Sequence, residues 1–280
     1  MPFDQPSHAA RWHASLALAF ERRAGRSVLA RRAHEGPLVV QKPFYPEGDG
    51  VCHAIVVHPP AGIAGGDDLR IAVHVAPGAH ALLTTPGAAK WYRTAGAGAC
   101  QHVTIDAAEE SAVEWLPQEA IVYDGAIAEI GWQANLARGA RLIAWDIVCL
   151  GRTGSGERFA RGRCAIATRV AREGVPILVE RGVLEAGTAA CASAAGLAGR
   201  SVFGTFLAAC DAVDESSVAH ARQPRPPSGE AAVTRLPGAL VARYRGDSTL
   251  AAREYFAALW SGLREPLIGR SPVEPRIWRT

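Results

Sequence analysis

Lysine is almost missing from this chain: Lys42 and Lys90 are the only two among 30 basic residues, and the others are arginines. With 27 acidic residues the net charge is only +3, and no segment gathers the basic stripe that a nucleic-acid surface needs. Nucleic acid is therefore not expected among the partners. Paired cysteines are lacking too. The six cysteines (Cys52, Cys100, Cys149, Cys164, Cys191, Cys210) stand singly, with no C-x-x-C, and four lie in apolar surroundings where cysteine acts as a small hydrophobe. They read as reduced thiols and not as a disulfide framework. No stretch approaches the roughly 18 continuous apolar residues of a membrane span. The one leader-like segment, Ala14 to Phe20, is too short and is closed by Glu21-Arg22-Arg23, so a cytoplasmic protein is expected. A G-x-S-x-G elbow is absent, which removes the commonest serine hydrolase signature. The loop Gly151 to Glu157 follows an apolar strand, but Glu157-Arg158 stands where a phosphate-binding loop needs lysine and then a hydroxyl. It is expected to be a plain turn.

What is present is a globular composition, 49% hydrophobic and 20% charged, with apolar residues alternating at period two. Trp12 to Glu21 alternates, turns at Ala24-Gly25-Arg26 and is answered by Ser27 to Arg31, with Pro37 to Gln41 after it. Ile71 to Val75, His80 to Thr85, His102 to Asp106 and Ala112 to Leu116 continue the pattern. Arg141 to Leu150, Cys164 to Val170 and Val175 to Leu184 complete it. Many short strands separated by turn residues predict a mainly β fold of stacked sheets, and the want of a fixed-period repeat predicts irregular stacking. Near the end the pattern changes. Asp211 to Arg222 reads as a short helix and Leu240 to Tyr244 as a strand. Asp247 or Ser248 then caps a helix carrying Leu250, Phe256, Leu259, Trp260 and Leu263, which Pro266 is expected to stop. One domain is expected over 1–280, with this helical cover at about 247–266.

Two sets of residues are candidates for chemistry. Cys52, His53 and His58 lie close together, and His74, His80 and His102 follow on later strands, but the short repeated spacings of zinc ligands are missing. Satisfied or surface histidines are expected. The carboxylates are more informative. Asp67 shares strand parity with Leu69, Ile71, Val73 and Val75, provided Gly65-Gly66 does not break the strand before it. Asp146 shares parity with Leu142, Ala144, Val148 and Leu150, and Glu180 with Leu178 and Leu184. An acid on a buried face needs an arginine, water or a cation, because an unpaired one costs several kcal/mol. Pairing with an arginine and an acid-lined interior path for a divalent cation both meet that need.

Several blocks then resemble one family. Gly36-Pro-Leu-Val-Val-Gln-Lys-Pro-Phe-Tyr-Pro-Glu47, His58-Pro-Pro-Ala-Gly-Ile-Ala-Gly-Gly-Asp67 and Leu82 to Thr94 (LLTTPGAAKWYRT) resemble signatures of the UreD (UreH) urease accessory proteins. Trp115 to Ile121, Ala144 to Arg152, Leu178 to Arg181 and the ending Pro275 to Thr280 follow in the family's order, and 191–238 carries the least resemblance. Ala61 and Ala89 depart from the pattern; the second removes a polar group from any cation path.

The resemblance implies a two-layer, β-helix-like fold and a scaffold for urease maturation, not an enzyme. It implies binding to apo-urease, to a helical UreF-like protein and to a UreG-like GTPase, with a UreE-like metallochaperone as the indirect nickel source. It implies no tightly bound cofactor, only nickel in transit, and it matches Asp67, Asp146 and Glu180 to acidic positions of an internal nickel route. His58, Gly66, Lys90, Tyr92, Arg93 and Arg181 fall on family motif positions. The rival is a small β-rich metal-binding enzyme built on the same acids and the nearby histidines. Tight metal binding with a defined geometry separates the two, because a catalytic site holds its metal and a conduit releases it.

Overall fold

A computed structural model describes residues 12–60 and 62–279. Alternation sets the first strands. β1 (His13–Arg23) buries Ala14, Leu16, Leu18 and Phe20 and turns tightly into β2 (Arg26–Glu35). There follow β3 (Val39–Phe44), β4 (Cys52–Val57), the short β5 (Gly62–Ile63), β6 (Asp68–Val75) and β7 (His80–Thr84). Next come β8 (Ala89–Trp91), β9 (Ala99–Ala107), β10 (Ala112–Leu116), β11 (Ala120–Val122), β12 (Ile127–Leu136) and β13 (Arg141–Leu150). The last elements are β14 (Arg163–Arg172), β15 (Val175–Glu185), α1 (Ala189–Ala192), β16 (Val202–Ala209), α2 (Glu215–Ala221), β17 (Glu230–Leu236), β18 (Ala239–Gly246) and α3 (Thr249–Ile268).

The strands form two facing sheets. The first runs β15-β14-β12-β9-β6-β1-β2, with β1, β6, β9, β12 and β14 parallel and its two edge strands antiparallel. In the second, β4, β7, β10 and β13 are parallel and β16, β18 and β17 extend the sheet antiparallel. Together they wind a β-solenoid of about four turns. Its coils are unequal, since Asp68 pairs with Cys100, Cys100 with Glu129 and Glu129 with Ala165. That inequality is why no fixed repeat is visible in the sequence.

One core lies between the sheets, and a second lies between the second sheet and α3. β13 serves both: Leu142, Ala144, Val148 and Leu150 face the first core, and Ile143, Trp145, Ile147 and Cys149 face the second. A strand buried on both sides reads as an unbroken apolar run. In β6, by contrast, Leu69, Ile71, Val73 and Val75 are buried while Arg70, Ala72 and His74 face outward.

Ser248, and not Asp247, caps α3, its hydroxyl accepting the Ala251 N–H at 3.2 Å. Asp247 binds Arg200 and Ser201 instead. Pro266 does not stop the helix. It sits in the last turn, the helix runs on to Ile268 because Leu267 and Ile268 bury in the second core, and left-handed Gly269 closes it. The expected helix from Asp211 is shorter, Glu215–Ala221, because the Asp214 carboxylate accepts the Ser217 N–H and starts it. All six cysteines are free thiols, four of them buried. Among the described residues no helix is long and apolar enough to cross a membrane.

Candidate functional site

The second sheet is slotted. After Val57, Thr84 and Leu116 the chain leaves the ladder and rejoins it as β5, β8 and β11, so the interruptions stack on successive coils. Behind them lies an inter-sheet cavity of about 340 Å³, walled by Leu69, Ile71, Val103 and Trp132 of the first sheet and by Val56 and Val148 of the second. Into this apolar space project His58, Lys90, Gln101, Gln118 and Asp146.

Asp67 is not on a strand. β6 begins one residue later, because Gly65-Gly66 forms a turn with Gly66 at φ +100°, a conformation open to glycine. Parity is therefore not what buries Asp67. The turn folds its carboxylate back onto its own backbone, where Oδ2 accepts the Ala64 N–H at 2.8 Å, and the residue is 7% exposed. Asp67 also lines a surface groove with Asp68, Cys100, Glu129 and Arg163. Its charge reaches His58: burial lowers the imidazole pKa, and Asp67 pulls it upward. A Cβ at Gly62 would run into the Tyr92 ring, which would have to move aside. Tyr92 itself is exposed, with its ring edge-on to Tyr123 at 5.3 Å, and Arg93 is exposed beside it.

Asp146 does point inward, as its parity requires. It lies on β13 between the stretch paired with β10 and the stretch paired with β11. The Trp132 indole donates to its Oδ2 at 3.1 Å and the Thr205 backbone to its Oδ1 at 3.3 Å. Burial pushes its pKa up, against those two bonds and the Arg243 charge. Glu180 follows along the same level, since Trp132 pairs with Thr168 and Thr168 with Glu180. It sits on the edge strand β15 with 23% of its side chain exposed, bonded to Arg243 of the opposite sheet. The arginine partner expected for a buried acid is thus present for Glu180 and distant for Asp146. Arg181, next along β15, faces solvent.

The other histidines divide as expected into surface and satisfied. His74 and His102 are exposed. His53 Nε2 bonds Glu47 at 2.6 Å, and His80 Nε2 bonds Glu114 at 2.6 Å. These bonds belong to a network that the sequence did not suggest. Arg264 of α3, fully buried, bridges Glu47 at 2.7 Å and Glu114 at 3.0 Å, and Trp260 donates to Glu114 at 2.5 Å. Burial pushes the Glu114 pKa up, but His80 and Arg264 outweigh it and hold the carboxyl at about 2. The available signal was Glu114 inside the five-residue apolar strand β10, opposite in parity to the inter-sheet core. Among the described residues no three His, Cys, Asp or Glu side chains gather into a metal-holding group. The loop after β13 is a single 3-10 turn, and the Glu157 carboxylate already accepts the Arg152 and Asp124 N–H groups.

The structure is a β-solenoid whose polar groups are strung along an inter-sheet cavity. The chain belongs to the UreD urease accessory protein family, which it matches over residues 13–279. It is 52% identical over 275 residues to the urease accessory protein UreD of Azoarcus sp. strain BH72, covering 98% of this chain and 96% of that one. It is 48% identical over 284 residues to UreD of Dechloromonas aromatica, covering 100% and 99%. Against UreD of Methylobacillus flagellatus the identity is 44% over 272 residues, covering 96% and 95%. Membership places the chain among the accessory proteins of urease maturation.

Proposed function

We propose that this chain is a non-catalytic, cytoplasmic scaffold that binds apo-urease together with a UreF-like helical protein and a UreG-like GTPase. Nickel supplied through a UreE-like metallochaperone is its cargo, and Asp67, Asp146 and Glu180 are acids of an interior route for it. The observation that carries this reading is the partly buried Asp146 carboxylate facing an inter-sheet cavity with His58, at the level of Glu180. A cation crossing a protein interior needs oxygen ligands in place of its water shell, held weakly enough to let it move on. Carboxylates suit that role better than thiolates, which would trap nickel.

Glu180→Gln is the cleaner test. Its pair with Arg243 is partly exposed on both sides, and such pairs contribute only about 0–1 kcal/mol, so the fold survives the change. Asp146→Asn turns an amide nitrogen toward one of two N–H donors and costs about 1–3 kcal/mol. With Glu180→Gln, the complex with apo-urease is expected to assemble normally while the urease formed contains severalfold less nickel. Normal assembly with normal nickel content would refute the interior route.

A further inference from the structure

One ring nitrogen in the cavity has no protein partner. His58 Nε2 is buried and makes no hydrogen bond, whereas His53 and His80 are each locked to a carboxylate. Leaving a buried polar atom unpaired costs about 1–3 kcal/mol, so its retention calls for a reason. Its position is fixed by the chain: Pro59 restricts the backbone of the residue before it, and Pro60 stiffens the turn that follows β4. Burial lowers the pKa of His58, and a neutral imidazole keeps a lone pair on one nitrogen. Asp67, which lines the outer groove, is near enough for its charge to act on His58, and His58 itself lines the cavity that holds Asp146.

We infer that His58 Nε2 is a nitrogen ligand for the divalent cargo cation, receiving it beside Asp67 and releasing it into the cavity toward Asp146. Imidazole is a good ligand for nickel, and neutral nitrogen adds affinity without adding charge to an apolar wall. One imidazole and one carboxylate leave most of an octahedral shell to water, so the contact passes the ion on. This inference rests on the interior-route reading, and the test separates the two.

The experiment uses the full chain in complex with its UreF-like partner, with only this chain's histidines carrying 13C and 15N labels. Nickel sulfate is titrated in and the imidazole signals are followed by NMR, with His58→Phe assigning the His58 signals. High-spin nickel broadens the resonances of a ring it binds. His58 is expected to broaden at a nickel concentration at least about tenfold below that affecting His53 and His80, a difference of about 1.4 kcal/mol in affinity. His58→Phe is expected to keep the complex intact and lower the nickel content of the urease formed; His58→Gln, retaining a polar group, checks that packing is not the cause. If His58 broadens no earlier than His53 and His80, the ligand role is wrong. Reduced nickel delivery by Glu180→Gln in the same preparations would then leave the route standing without His58. If Glu180→Gln delivers nickel normally as well, both ideas fall.

Discussion

Arg264→Met is expected to unfasten α3 from the solenoid. The guanidinium is fully buried and bonds Glu47, Glu114 and the Ser271 carbonyl, so methionine fills part of the volume and leaves Glu47 with His53, and Glu114 with His80 and the Trp260 N–H, without a guanidinium partner. Removing one partner of a buried pair costs about 3–5 kcal/mol. The titration of Glu114 gives a similar size: a fall from 4.5 to about 2 corresponds to roughly 3 kcal/mol of stabilisation at neutral pH, shared between His80 and Arg264. The sign follows from the lowered value. The contribution is fully present above the unfolded pKa near 4.5 and is lost as pH falls from there toward about 2. Urea unfolding at pH 7, followed by tryptophan fluorescence, should show a lower midpoint with an unchanged slope. The difference between parent and variant should shrink between pH 4.5 and the acid limit. Replacing Glu47, Glu114 and Arg264 together with their buried histidine partners His53 and His80 by apolar residues of similar volume should recover much of the loss, because the desolvation cost disappears with the polar groups. A variant as stable as the parent at pH 7, or a difference that does not change with acid, would refute this account of the network.

Three further outcomes are expected. The purified chain should neither bind nor hydrolyse GTP, since Glu157 fills the turn after β13; fluorescent-nucleotide binding and phosphate release check this, and turnover that follows this chain through purification counts against it. Gly66→Ala should cost about 1–3 kcal/mol through its positive φ alone, because no atom lies within 4 Å of the added methyl, and a thermal melt reads it directly. Val179 and Val183 on the edge strand β15 are 56% and 47% exposed; Val179→Lys with Val183→Glu should reduce self-association in analytical ultracentrifugation without lowering the unfolding midpoint.

The exposed apolar surface is one place where the sequence is silent. Phe256, Leu259 and Trp260 of the expected helical cover are buried against the second sheet, and exposed valines lie on β15. Periodicity tells that a face is apolar and is silent on whether another element covers it. Strands were legible for the same reason that Asp146 was: period two survives whatever packs outside, and its inward parity holds. Asp67 escaped that logic because a glycine turn, and not a strand, sets its direction. The Glu47–Arg264–Glu114 network escaped it altogether. Its members share no local pattern, being joined only by winding.

That winding has a consequence for synthesis. Arg264 meets Glu114 across 150 residues and Glu47 across 217, so the clasp closes only after α3 has left the ribosome. Until then Leu82, Ile143, Trp145 and Phe206 lack the helix that covers them. The coils themselves are able to add one upon another as they emerge, each finding its neighbour already in place. The nascent solenoid thus carries a bare apolar wall until α3 arrives, and that wall is the surface most in need of protection during synthesis.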